Sequence, residues 1–149
     1  MLFRSLAAFQ DASTPDLLEK FLRRLASFPR LVEDHLARVN VAMSRGVTAS
    51  RISVERLIAQ LEGLAAIPPE HSPIATAARV AGDAERARVV DAVREHVDPQ
   101  IRRYLDLVKG PYRGKCREVP GLVSLPDGGR LYATAVRRSE EHTSELQSH

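Results

Sequence analysis

Residues 83–108 read DAERARVVDAVREHVDPQIRRYLDLV. Val90, Val93, Val97, Ile101, Tyr104 and Val108 recur at intervals of three and four, the spacing that keeps residues on one face of an α-helix. The phase survives Pro99, which neither donates a hydrogen bond nor fits easily inside a helix. The stretch therefore predicts either one kinked helix or two nearly collinear ones, with Asp98 capping the second. Gly110-Pro111 weakens the pattern, and helix resumes to about Cys116.

The same periodicity extends upstream. Thr14-Pro15-Asp16 is a helix start: a capping hydroxyl, a proline at the first helical position, and an acid facing the positive end of the helix dipole. Leu17, Leu18, Phe21, Leu22 and Leu25 follow as one apolar stripe. Pro29 is expected to break or restart the helix. Leu31, Val32, Leu36, Val39 and Met43 continue at helical spacing to Gly46, a stop signal. Thr48 or Ser50 can cap the next helix, carried by Val54, Leu57, Ile58, Leu61 and Leu64 and ended at Ile67-Pro68-Pro69. Glu70–Gly82 is a connection with a short helical turn at 74–79. Arg117–Gly129 (REVPGLVSLPDGG) is a loop with a Pro-Asp-Gly turn, and Arg130–Arg137 begins another helix. No run alternates with the period of a strand. The reading is an all-α chain: about four amphipathic helices and an incomplete C-terminal one, forming part of a larger helical protein, behind a poorly ordered segment 1–13.

Residues 138–149 are treated separately. RSEEHTSELQSH matches, residue for residue, the in-frame translation of a common short-read library adapter beginning AGATCGGAAGAGCACACG. The expectation is an adapter-derived, disordered tail on a truncated fragment, with residues 14–137 as the native helical portion. Such a tail is excluded from fold reasoning.

Composition narrows the function. The chain has 149 residues, with 22 Lys and Arg against 19 Asp and Glu, a formal net charge of +3. That excess is too mild and too dispersed to mark a nucleic-acid protein. With one cysteine, Cys116, neither an intrachain disulfide nor a cysteine zinc cluster can form. No run is long enough to span a membrane, and MLFRSLAAF is a poor signal peptide. The compartment, cytoplasmic or exported, is not readable.

Candidate chemistry is sparse. His35, His71 and His96 would need long-range convergence to hold a metal; the alternative is surface histidines on amphipathic helices. Asp91, Glu95 and Asp98 share a helical face, which suits acid–base work, but Asp98 can pair with Arg102, and a solvated charged face explains all three. Cys116, flanked by Arg113, Lys115 and Arg117, has a nucleophile's electrostatics and no identifiable base. Arg102, Arg103, Lys109, Arg113, Lys115 and Arg117, with Tyr104 and Tyr112 interleaved, form the best binding surface in the sequence. It suits phosphate, nucleic acid or a peptide carboxylate, or else salt bridging between domains. Tyr132, just after the loop, can offer a phenolic hydrogen bond or serve as core.

These residues resemble a known family. TPDLLEKFLRRLASFPRLVEDHL, RGVTASRISVERLIAQLEGL and, most specifically, PYRGKCREVPGLVSLPDGGRLYATAVRR are similar to the N-terminal half of the bacterial family called domain of unknown function 885. The matching positions are Tyr112, Arg113, Gly121-Leu122, Leu125-Pro126-Asp127-Gly128, Tyr132 and Val136-Arg137. Ala49-Ser50-Arg51 departs from the pattern where a proline is expected, and so does Ala133, where a second tyrosine is common. The resemblance implies a large helical zinc-dependent metallopeptidase acting on peptides. Its His-Glu-x-x-Pro-Gly-His-type motif is expected in the C-terminal half; Met1–Arg137 contains none. The expected function is thus an inactive helical scaffold whose partner is the missing C-terminal half. It has no catalytic or metal residues of its own, and zinc is implied only for the parent. Arg113, Arg117 and Tyr132 are its candidate substrate-binding residues. The alternative is a non-enzymatic helical module that binds an acidic or nucleic-acid partner through 102–117.

Overall fold

The computed structural model describes residues 11–147, and within them the chain is all-α. Helix α1 is Pro15–Ser44, α2 Arg51–Ala65, α3 the short Pro73–Ala77, α4 Asp83–Ala92, α5 Asp98–Leu107 and α6 Gly128–Gln147. The α1 start forms as the sequence predicts: the Thr14 hydroxyl accepts from the Leu17 N–H at 3.4 Å. Gly46, at φ +71°, turns the chain out of α1 in the left-handed region that glycine enters without penalty.

The 83–108 stretch forms one continuous rod. A wide π-type turn, Val93–Val97, follows α4, and a kinked turn, Val108–Tyr112, with Gly110 at a non-helical φ of −92° and ψ of −109°, follows α5. In each, an N–H reaches back five residues: Asp98 to the Val93 carbonyl, and Arg113 to the Val108 carbonyl. Both turns lie where a proline, Pro99 or Pro111, removes a donor and crowds the preceding turn. They also explain which valine faces inward. Val89 is fully buried and Val90 only half-buried, so the stripe is Val89, Val93, Val97, Ile101, in steps of four. In a pure α-helix each such step overshoots one turn by about 40°. The wide turn absorbs that drift. Asp98 accordingly does not cap: it is the first residue of α5, entered from a helical Val97.

Two apolar clusters result. One joins Leu18, Phe21 and Leu25 of α1 to Val89, Val93 and Val97. The other joins Val54, Ile58 and Leu61 of α2 to Val108 and Cys116. Ile101 packs against both.

Three expectations need correction. Pro29 does not break α1, which runs through it, because Leu25 on one side and Leu36 and Met43 on the other are buried in the same helix. Residues 11–13 are placed: Asp11–Ala12 (β1) pairs in parallel with Arg79–Val80 (β2), and Ala12 is small enough to enter the first cluster. The first ten residues of the expected disordered segment lie outside the described residues. The last helix begins at Gly128 rather than Arg130, straight from the turn. The helix extends to Gln147. No proline or glycine interrupts it after Gly129, and Glu, Leu and Gln favour helix. Residues 148 and 149 lie outside the described residues.

Leu18 is 2% exposed and Leu31 is 64% exposed, although both sit on predicted stripes of α1. Leu18→Ala should destabilise the fold by about 3 kcal/mol and Leu31→Ala by less than about 0.5 kcal/mol, measured by urea unfolding.

Candidate functional site

The segment Tyr112–Gly128 lies against the start of α2, and backbone pairing sets its course. The Arg51 N–H donates to the Arg117 carbonyl at 2.7 Å, and the Arg117 N–H to the Ala49 carbonyl at 3.0 Å. The buried Thr48 hydroxyl donates to the Lys115 carbonyl at 2.9 Å, so Ser50 and not Thr48 stands at the α2 start. The Ala49 N–H donates to the Tyr112 hydroxyl at 2.8 Å. Arg51 also forms an ion pair with Glu118, which holds the Glu118 carboxyl below its ordinary pKa.

Arg117 organises the loop itself. Its Nε donates to the Thr48 carbonyl at 2.7 Å, and its Nη1 donates to the Gly121 carbonyl at 2.7 Å and to the Ser124 hydroxyl. Five fixed donors in one plane suit this clustering of carbonyls. Downstream, Pro126 packs toward Gly46, and Asp127 takes a left-handed φ of 55°. A Cβ on Gly128 would lie 2.0 Å from the Leu122 carbonyl oxygen, so only glycine lets α6 start this close to the loop.

The sequence-predicted binding residues are therefore not brought together. Arg117 is a loop organiser. Arg113 Nε pairs with Glu55 of α2 at 2.8 Å. Tyr132 is exposed on α6 beside Leu131. The rest of the basic stretch follows Arg113: Lys109 pairs with Glu62 at 2.6 Å, and Arg102 donates to the Ala65 carbonyl at the α2 C-terminus at 3.1 Å. These contacts descend α2 as they ascend the rod, so they stitch two antiparallel helices. Such exposed pairs each contribute only about 0–1 kcal/mol. Their larger effect is to occupy cations that a polyanion would need; Arg103 and Lys115 alone in that stretch lack a partner among the described residues.

The remaining candidates also resolve into structure. Cys116 is buried, and its thiol donates to the Arg113 carbonyl at 2.9 Å. Asp91 pairs with Arg94, which also reaches Glu70 at 2.8 Å. Asp98 makes no ion pair with Arg102 among the described residues. Burial raises its pKa above the ordinary aspartate value, opposed by Arg102 and Arg94. His35 lies against Tyr104, with Nε2 and the phenol oxygen 3.3 Å apart, a contact between α1 and α5 that no local spacing could reveal. Burial raises the Tyr104 pKa. Among the described residues, no three His, Cys, Asp or Glu side chains are grouped to hold a metal ion. A zinc ion does not fit them, and no step of hydrolysis is assigned to them.

Fold and side chains together define an all-α scaffold built around a helical rod and an arginine-locked loop. The chain belongs to the bacterial protein family of unknown function DUF885, whose family model matches residues 1–148. No curated protein and no solved structure matches it. No helix among the described residues is long and apolar enough to cross a membrane.

Two tests address the site. Arg117→Lys should destabilise the fold by about 1–3 kcal/mol and speed protease cleavage within 119–124, because lysine cannot serve acceptors in a planar fan. Gly128→Ala should cost about 1–3 kcal/mol through the backbone collision. A pH series tests Asp98. Its raised folded-state pKa means that ionisation penalises the fold as pH rises above the unfolded value. The melting temperature of Asp98→Asn relative to the original chain should therefore increase between pH 3 and pH 7.

Proposed function

We propose that this chain is the helical scaffold portion of a larger bacterial hydrolase and is catalytically inactive by itself. The zinc-dependent peptide chemistry that the family resemblance implies would be supplied by residues outside Thr14–Arg137. One observation carries the reading. Val119, Leu122, Val123, Leu131 and Tyr132 are all exposed on the loop and the first turn of α6. Among the described residues, α6 packs chiefly on its own loop turn, Leu122–Ser124. A run of apolar side chains on one short segment is the kind of surface that further protein covers. The C-terminal half of the same protein is the occupant this reading assigns. Tyr132 would then lie at the seam between the halves. Arg113 and Arg117 would act on substrate only indirectly, by holding the loop.

The test is direct. Sequencing the source DNA past codon 137 should reveal a continuing frame with a His-Glu-x-x-Pro-Gly-His-type motif; a continuing frame without one would sink the proposal. The purified 149-residue chain should contain substoichiometric zinc and hydrolyse no peptide, and one tightly held zinc per chain with peptidase activity would overturn it. Steeply salt-dependent binding to DNA would instead favour the nucleic-acid module.

A further inference from the structure

Helices α1, α2 and α5 border a partly open cavity of about 220 Å³ that no catalytic or scaffold role uses. Val39 of α1, Leu57 of α2 and Val108 of the kinked turn supply apolar walls. Two small residues, Ala49 and Ser53, keep it open, where any larger side chain would fill it. No lining residue is charged. Two tyrosines, Tyr104 and Tyr112, also line this space.

The phenols are not equivalent. Tyr104 is engaged with His35. Tyr112 accepts from the Ala49 N–H at 2.8 Å, while its own proton meets no acceptor among the described residues. That proton is free to be received by a ligand acceptor in the cavity. Tyr112 reaches the cavity from the Val108–Tyr112 turn, where the chain kinks at Gly110.

We propose that this cavity is a binding site for a compact, uncharged aliphatic or aromatic ring bearing one hydrogen-bond acceptor, received by the Tyr112 hydroxyl. Size, charge and polarity each restrict the occupant. Apolar cavities of about 150 Å³ already hold benzene, so a six-membered ring with one substituent fits. A charged ligand would lose its hydration with no counter-charge to replace it. A ligand lacking an acceptor would leave the Tyr112 proton unmatched. The site differs from the exposed strip on α6 and does not depend on the parent being a hydrolase.

The experiment uses the full 149-residue chain and two probes of equal shape, cyclohexanone and methylenecyclohexane, followed by amide NMR. Cyclohexanone should shift the Ala49 amide resonance saturably, because that N–H bonds to the receiving hydroxyl. The expected dissociation constant is on the order of 1 mM, the range open to so few heavy atoms. Methylenecyclohexane should bind about 5-fold more weakly, the discrimination of one net hydrogen bond. Tyr112→Phe should abolish the difference between the probes, a result that mere loosening of the fold would not give. Ser53→Leu, at an exposed lining position, should block both probes while the melting temperature holds. Absence of a saturable Ala49 shift in the folded chain overturns the proposal. Equal binding of the two probes to the original chain, or undiminished binding to Ser53→Leu, does the same.

Discussion

The four-residue step of Val89, Val93, Val97 and Ile101 is the constraint on which the rest of the molecule depends. An α-helix cannot hold that spacing on one face for long, because the stripe drifts around the axis. The i→i+5 bond from Asp98 to the Val93 carbonyl removes the drift and lets one rod serve two cores. Val89, Val93 and Val97 complete the cluster on α1, and Val108 completes the cluster on α2. Ile101 sits where they meet. Without the wide turn, Val97 and Ile101 would rotate away from α1, and the clusters would lose their common member.

The kink at Gly110-Pro111 carries the chain off the rod and delivers Tyr112, Cys116 and Arg117 to the beginning of α2. From there the loop is held by acceptors gathered around one guanidinium, and by a glycine that permits backbone to approach backbone. The residues with the most evident chemistry thus have their polar atoms engaged in structure: Arg117 with the Thr48 and Gly121 carbonyls, Arg113 with Glu55, Lys109 with Glu62 and Cys116 with a carbonyl. Two apolar features stay open beside them, the strip on the loop and α6 and the cavity beneath Tyr112.

Legibility followed the range of the forces involved. Helix starts and stops are local: Thr14 as a cap and Gly46 as a left-handed turn depend on a few consecutive residues, and both were readable. Periodicity exposed the rod but selected Val90 over Val89, because it assumed ordinary α geometry throughout. Pro29 illustrates the opposite error, a strong local signal overridden by burial on both sides. The basic stretch was visible as a charge run. That its members face Glu55, Glu62 and the α2 C-terminus depends on pairing across about fifty residues of chain, and no spacing rule reports it.

The sequence by itself determined the all-α class, the start of α1 at Thr14 and its stop at Gly46, and membership in the family, whose model matches residues 1–148. The class and the ends of α1 are encoded within a few turns of chain, in propensities and caps. Tertiary structure alone decided how the rod winds, which arginines are engaged, and that Tyr104 and Tyr112 share a cavity. Those outcomes require α1, α2 and α5 to be packed, since only packing brings residues as distant as His35 and Tyr104, or Ala49 and Tyr112, within hydrogen-bond reach.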